Sequence, residues 1–188
     1  MIRRLFSPLP ILALLFLGPL VLAIVLYAGR DSFGGFESLP NPDRELIANP
    51  PIVPMTVPGS TDPTVSLRSR WLLIYARMPA CDTACVSAIE RLGQVYLALG
   101  KERERVRLVF LVAGTRNDTP QRADFLFGTL DAPEGAEWVR VLGTERLEQG
   151  RYFVVDPLGN LILSYPAAAD QKRLLEDLER LLNVSRIG

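Results

Sequence analysis

The chain has 188 residues, 48% of them hydrophobic, and its 21 basic side chains are balanced by 21 acidic ones. That neutrality leaves no electrostatic footprint for a nucleic-acid partner. Histidine is absent altogether, which removes Ser-His and Cys-His nucleophile pairs, histidine zinc sites and the usual proton shuttle of neutral pH.

The first element is an uncharged, apolar run from Leu5 to Gly29, long enough to cross a hydrocarbon core of about 30 Å. Pro8, Pro10, Gly18 and Pro19 interrupt it, and membrane helices tolerate such residues better than soluble ones do. Arg3 and Arg4 precede the run, whereas Asp31, Glu37, Asp43 and Glu45 follow Arg30. The positive-inside rule therefore predicts residues 1–30 as a cytoplasmic start and transmembrane helix, with everything after them outside the cytoplasm. A cleaved signal peptide shares the basic start and apolar core, but the run is long for one and Leu26-Tyr27-Ala28 is a poor cleavage site. The excess of arginine over lysine is compatible with a bacterium of high genomic GC content, so the expected location is a bacterial inner membrane, with the C-terminal part in the periplasm.

Residues 31–66 carry Pro40, Pro42, Pro50, Pro51, Pro54, Pro58 and Pro63 with Gly34, Gly35 and Gly59. This density rules out a long helix or a central strand and predicts a semi-extended linker. Within it, Pro51 to Val57 is the part suited to pack as an edge strand. From Leu67 to Gly188 apolar strand-like and helix-like runs alternate over enough residues for one compact domain.

Arg70 to Ala76 reads as a buried strand. Cys85, Ile89, Leu92, Tyr96 and Leu99 then recur at helical spacing up to Gly100, and Arg107 to Ala113 reads as the next buried strand, so a parallel βαβ unit is expected. Further along, the pattern predicts a helix at Pro120 to Leu130 and a short strand near Trp138 to Leu142. Tyr152 to Val155 and Leu161 to Tyr165 flank Asp156-Pro157-Leu158-Gly159-Asn160, which is a hairpin signature. Asp170 caps a last helix with a stripe of Leu174, Leu175, Leu178, Leu181 and Leu182. The order is that of an α/β, thioredoxin-like fold preceded by one N-terminal transmembrane helix.

Cys81 and Cys85 are the only cysteines, and they fall at the turn between the first strand and the first helix of this domain. Helix N-terminal amides favour a thiolate and lower a cysteine pKa from about 8.5 to roughly 3.5–7.5. Two such thiols can form a disulfide, exchange it, or hold a soft metal. If the helix begins at Asp82 or earlier, the pair lies near i and i+4, close to the separation of roughly 4.4–6.8 Å between disulfide Cα atoms. Cys81 is then the attacking sulfur and Cys85 the resolving one. Asp82 can cap the helix, although its charge opposes thiolate formation. The plain alternative is a structural disulfide or two inert buried thiols. Met78 is a further thioether donor for a soft metal, although methionine beside a buried strand ordinarily fills core.

With Cys-x3-Cys after a strand, the Tyr-Phe-Val-Val-Asp-Pro-Leu-Gly-Asn hairpin and a single N-terminal anchor, the chain resembles the Sco-type cytochrome oxidase assembly proteins. It looks closer still to small single-pass thioredoxin-like proteins of proteobacteria encoded among cytochrome oxidase genes. The resemblance runs from Leu67 to the C-terminus and puts Cys81 and Cys85 on the positions of the paired Sco cysteines. It implies copper delivery to, or thiol maintenance at, the copper site of cytochrome oxidase, hence an oxidase subunit or assembly factor as partner. Sco proteins add a histidine ligand shortly before the last hairpin, where this chain offers Glu148 or Gln149, both poor ligands for Cu(I). Thioredoxins carry a cis-proline where this chain has Gly150, Arg151 and Tyr152. Thiol-disulfide exchange at Cys81 and Cys85, with no cofactor required, is therefore the leading expectation. A Cu(I) chaperone using Cys81, Cys85 and Met78 is the second, and a scaffold with a structural disulfide the third.

Overall fold

The computed structural model describes residues 15–19, 21, 41–60, 66–78, 81–113, 125–185 and 187. The chain divides into two units, Met1–Pro40 and Asn41–Gly188. In the first, residues 15–19 and 21 are helical, and Leu15, Phe16, Leu17 and Val21 are exposed. Most of the expected membrane span lies outside the described residues, and among those described no helix is long and apolar enough to cross a membrane.

Among the described residues the second unit is built on a six-stranded mixed sheet. Its strands are β1 (Glu45–Leu46), β2 (Trp71–Arg77), β3 (Val106–Val112), β4 (Phe125–Thr129), β5 (Arg151–Val155) and β6 (Leu161–Pro166), in the spatial order β1-β6-β5-β2-β3-β4. β2, β3 and β4 run parallel, with Leu73 opposite Leu108 and Phe110 opposite Phe127, while β5, β6 and β1 are antiparallel additions. β2 is buried from Trp71 through Ala76, because a central strand covered on both faces has no polar side to show. The β5–β6 hairpin forms at the expected turn. The Asp156 carboxylate accepts from the amides of Leu158 (2.9 Å) and Asn160 (2.8 Å) and from the Asn160 side chain (2.7 Å), and Gly159 takes the positive φ of 95° that the turn requires.

Helices cover both faces. On one, Leu73, Tyr75, Phe110, Tyr152 and Tyr165 meet Ile89 and Leu92 of α1 (Thr83–Ala98) and, from the C-terminal helix Gln171–Val184, Leu174 and Leu178. On the other, Leu72, Ile74, Val109, Leu111 and Phe153 meet Trp138 of α2 (Gly135–Leu142) and Leu147 of α3 (Thr144–Gln149). The C-terminal helix is α4. Each fully buried leucine or phenylalanine here contributes on the order of 1.5–3 kcal/mol relative to exposure, so both layers are needed to hold the sheet.

Two expected elements are corrected. The helix expected at Pro120 to Leu130 is instead strand β4 over its described part, because Phe125 to Thr129 pair in parallel with Leu108 to Val112. The strand expected near Trp138 to Leu142 is helix α2, whose buried Trp138, Val141 and Leu142 recur at three and four residues, the spacing of one helix face. Residues 41–57, expected within the linker, run along the second unit. Glu45 and Leu46 pair with Ser164 and Leu163, Ile52 bridges Asn160, and Val53 and Val57 are buried. Proline-rich backbone suits such a sheet edge, where only one side of the strand needs partners.

Candidate thiol-disulfide site

β2 ends at Arg77, Met78 follows it at the C-terminal end of this central strand, and α1 begins at Thr83, so both cysteines fall where the strand hands over to the helix. Cys81 and Cys85 are joined in a disulfide with a Cα separation of 5.2 Å. Cys85, in the first turn of α1, is completely buried, and Cys81 is half-buried against the same core. The outer sulfur is therefore the one a partner can reach.

Asp82 organises this turn. Its backbone is extended, as an N-cap demands, and its carboxylate accepts from the Cys85 amide at 2.9 Å. The same carboxylate takes a two-pronged hydrogen bond from Arg77, at 2.5 and 2.8 Å. The Arg77 guanidinium, helped by the Cys85 amide, holds the Asp82 carboxyl down to about 2. The negative charge expected to oppose a thiolate at Cys81 is thus paired with a cation that the sequence reading did not single out.

Behind the disulfide the wall is aromatic. The Tyr75 ring stacks on Phe110 at 5.6 Å and tilts against Tyr152 at 5.6 Å. Burial pushes both phenols above their ordinary pKa, so they stay neutral, and the Tyr152 hydroxyl donates to the Ala88 carbonyl of α1 at 2.9 Å. Gly150, at φ 68°, closes on this wall: a Cβ placed there would lie 2.8 Å from the Tyr75 hydroxyl oxygen. Of the three residues compared above with the thioredoxin cis-proline, Gly150 is thus the one where a side chain would press on Tyr75.

The other candidate ligands lie elsewhere. The Met78 amide donates to the Leu147 carbonyl at 2.9 Å, and its side chain packs with the Trp138 and Leu147 core on the opposite face of the sheet from Cys81 and Cys85. Glu148 is exposed. Gln149 lines an open pocket of about 420 Å³ together with Glu45, Arg146 and Arg151. There Glu45 pairs with Arg146 and, at 3.0 Å, with Arg151, and Arg146 foremost holds the Glu45 carboxyl below its usual range. Among the described residues no group of three or more cysteine, aspartate or glutamate side chains converges to hold a metal. Met78 does not join Cys81 and Cys85 as a third Cu(I) ligand here, since its thioether lies on the opposite face of the sheet.

Tyr75 and Arg77 were missed as site residues. The available signal was an arginine ending an apolar strand five residues before the capping aspartate.

The sequence model of the family described as "transmembrane-like, thioredoxin-like, C-terminal domain" matches residues 71–185. A comparison with curated proteins finds no match. Among solved structures, apo Sco1 from Thermus thermophilus is 20% identical, covers 72% of this chain and 94% of its own, and superposes with a TM-score of 0.55. BsSco, described as a Sco-family cytochrome c oxidase assembly protein with a disulfide switch, is 16% identical, with coverages of 73% and 96% and a TM-score of 0.52. Yeast Sco1 with copper bound is 15% identical, with coverages of 63% and 81% and a TM-score of 0.51. At these identities the likeness is one of fold, and it is the thioredoxin-like fold expected from the sequence.

Proposed function

Because the chain belongs to the family of transmembrane-like, thioredoxin-like C-terminal domains, we propose that it is a membrane-anchored, periplasm-facing protein that exchanges thiols and disulfides at Cys81 and Cys85 in support of cytochrome oxidase assembly. The observation that carries this reading is the asymmetry of the disulfide: one sulfur accessible at a helix start, the other sealed in the core. The oxidase pathway is supported by the fold shared with Sco proteins, and the anchor by the uncharged run from Leu5 to Gly29.

The chemistry follows from the geometry. A partner thiolate attacks the Cys81 sulfur, the Cys81–Cys85 bond breaks, and Cys85 leaves as a thiolate that takes up a proton within the core. A second partner thiolate then attacks the partner's own sulfur in the mixed disulfide and expels Cys81 as a thiolate. Two electrons have passed from the partner dithiol to this pair, and the reverse sequence reduces a partner disulfide. Nothing in these steps calls on Met78 or a metal.

The deciding experiment is the reduction potential of the pair in the full chain. A value near −200 mV fits a bond that is made and broken, whereas a value below about −300 mV, where structural disulfides fall, sinks the exchange reading.

A further inference from the structure

The pole of the second unit opposite the disulfide has a composition that neither its core nor its redox site explains. β2 and β3 start there, α1 and α4 end there, and the β5–β6 turn lies there. Hydrogen bonds knit these ends together: Arg70 donates to the Glu104 carbonyl, Ser69 to Pro157 at 3.3 Å, and Arg105 to Leu182 and Ser185 at 2.9 and 2.8 Å. Val53 joins them by donating to Gly159 at 2.8 Å.

Two kinds of side chain concentrate on this surface. Within residues 66–71, 100–107, 156–160 and 181–185 stand Arg68, Arg70, Lys101, Arg103, Arg105 and Arg107, against only Glu102, Glu104 and Asp156. The chain as a whole carries no net charge, so the excess here is local. Among the described residues of this unit, the large apolar side chains left exposed are Leu46, Ile52, Leu97, Leu158, Val184 and Ile187. All but Leu46 belong to this pole, and they are 56% to 81% exposed. Ser69, at φ 64°, is the only described non-glycine residue with a positive φ, and it sits between the exposed Arg68 and Arg70.

We propose that this pole docks on the surface of an anionic lipid bilayer, which sets Cys81 on the side facing away from the membrane. Arg70 and Arg105 are engaged by backbone carbonyls, and Arg105 also pairs with Glu102, whereas the exposed heads of Arg68, Lys101 and Arg103, with aliphatic side chains dispersed among them, match an interfacial membrane contact. The proposal builds on the anchor reading but is tested apart from it.

The test is hydrogen exchange of the full chain in nanodiscs made with phosphatidylglycerol or with phosphatidylcholine alone. Peptides covering 66–71, 100–107, 156–160 and 181–185 become protected only in the anionic discs, and the protection is lost at high salt and in the triple variant Arg68→Glu, Lys101→Glu, Arg103→Glu. Equal exchange in the two discs overturns the proposal, as does protection that appears only when a soluble acidic protein is added. If the chain fails to enter discs, the anchor reading falls, and co-sedimentation with phosphatidylglycerol vesicles decides the docking. In that assay the triple variant binds on the order of a hundredfold more weakly, at about 1 kcal/mol per basic side chain, and no binding by the unaltered chain overturns the proposal.

Discussion

Arg77 clamps Asp82 through both carboxylate oxygens while the same carboxylate caps α1 at the Cys85 amide. One acidic side chain therefore fixes where the helix starts and is electrically neutralised by the strand that precedes it. Cys81 stands immediately before this cap.

The first expectation is a pH effect with a defined sign. The Asp82 carboxyl is held at about 2 in the folded chain against an ordinary value of 3.8, so folding favours its ionised form. Its contribution is complete above the unfolded pKa and is lost as pH falls from 3.8 towards about 2. Asp82→Asn keeps a capping oxygen but drops the ion pair. Urea midpoints measured from neutral pH down to about 2 should fall less steeply for this variant than for the unaltered chain.

The second expectation separates the two charges at the turn. With the disulfide reduced, Arg77→Ala leaves Asp82 unpaired beside the thiols and moves the pH midpoint of Cys81 alkylation upward, whereas Asp82→Asn moves it downward. Alkylation rates followed across pH give both midpoints. Identical midpoints would mean that the Arg77–Asp82 pair does not act on the thiol.

The cysteines themselves should behave unequally. Cys85→Ser leaves the reachable Cys81 to trap a partner thiol as a mixed disulfide that a non-reducing gel detects. Cys81→Ser leaves only a sulfur that is fully buried, and it should trap little or nothing. Equal trapping by both variants would contradict the assignment of Cys81 as the attacked sulfur.

Gly150 offers a stability test. At φ 68° and ψ 113° a side chain is strained, and its Cβ would also meet the Tyr75 hydroxyl at 2.8 Å. Gly150→Ala should cost about 1–3 kcal/mol, seen as a lower urea midpoint. Adding Tyr75→Phe should recover the part due to the hydroxyl contact but not the part due to the backbone, so the two substitutions couple in a double-mutant cycle.

For copper, the reduced chain should hold Cu(I) weakly and yield it to a competing chelator, because two thiolates lack a third soft ligand in place. Met78→Leu should change neither that competition nor the redox behaviour, and should cost less than ~1.5 kcal/mol. Tight binding abolished by Met78→Leu would require the thioether to cross from the opposite face of the sheet, and would restore the chaperone reading.

What could be read in the residues depended on how local the cause was. The β5–β6 turn is written in Asp156, Gly159 and Asn160, and α1 and α4 in capping aspartates followed by apolar stripes, so these elements were legible. β4 was not. Phe125 to Thr129 become a strand because β3 offers an open parallel edge, a partner more than ten residues away that no local window contains. For α2 the helical spacing of Trp138, Val141 and Leu142 was present, but the β-forming residues between and around them masked it in so short a run. At the site, the cysteines and the Asp82 cap were legible as chemistry and spacing. The exclusion of Met78 required knowing which face of the sheet it joins.

The position of β1 bears on how the molecule carries load. Asn41 and Arg44 bind the Asp177 carboxylate of α4 at 3.0 and 2.9 Å, and Glu45 grips Arg146 and Arg151. A pull exerted on the chain ahead of Asn41 is taken first by these polar clasps and by the two-residue strand β1. Since β1 is the outermost strand, with β6 and β5 between it and β2, the sheet yields there by peeling one pair at a time. Tension is spent at the rim, and the strand that carries the cysteine turn is mechanically insulated from it.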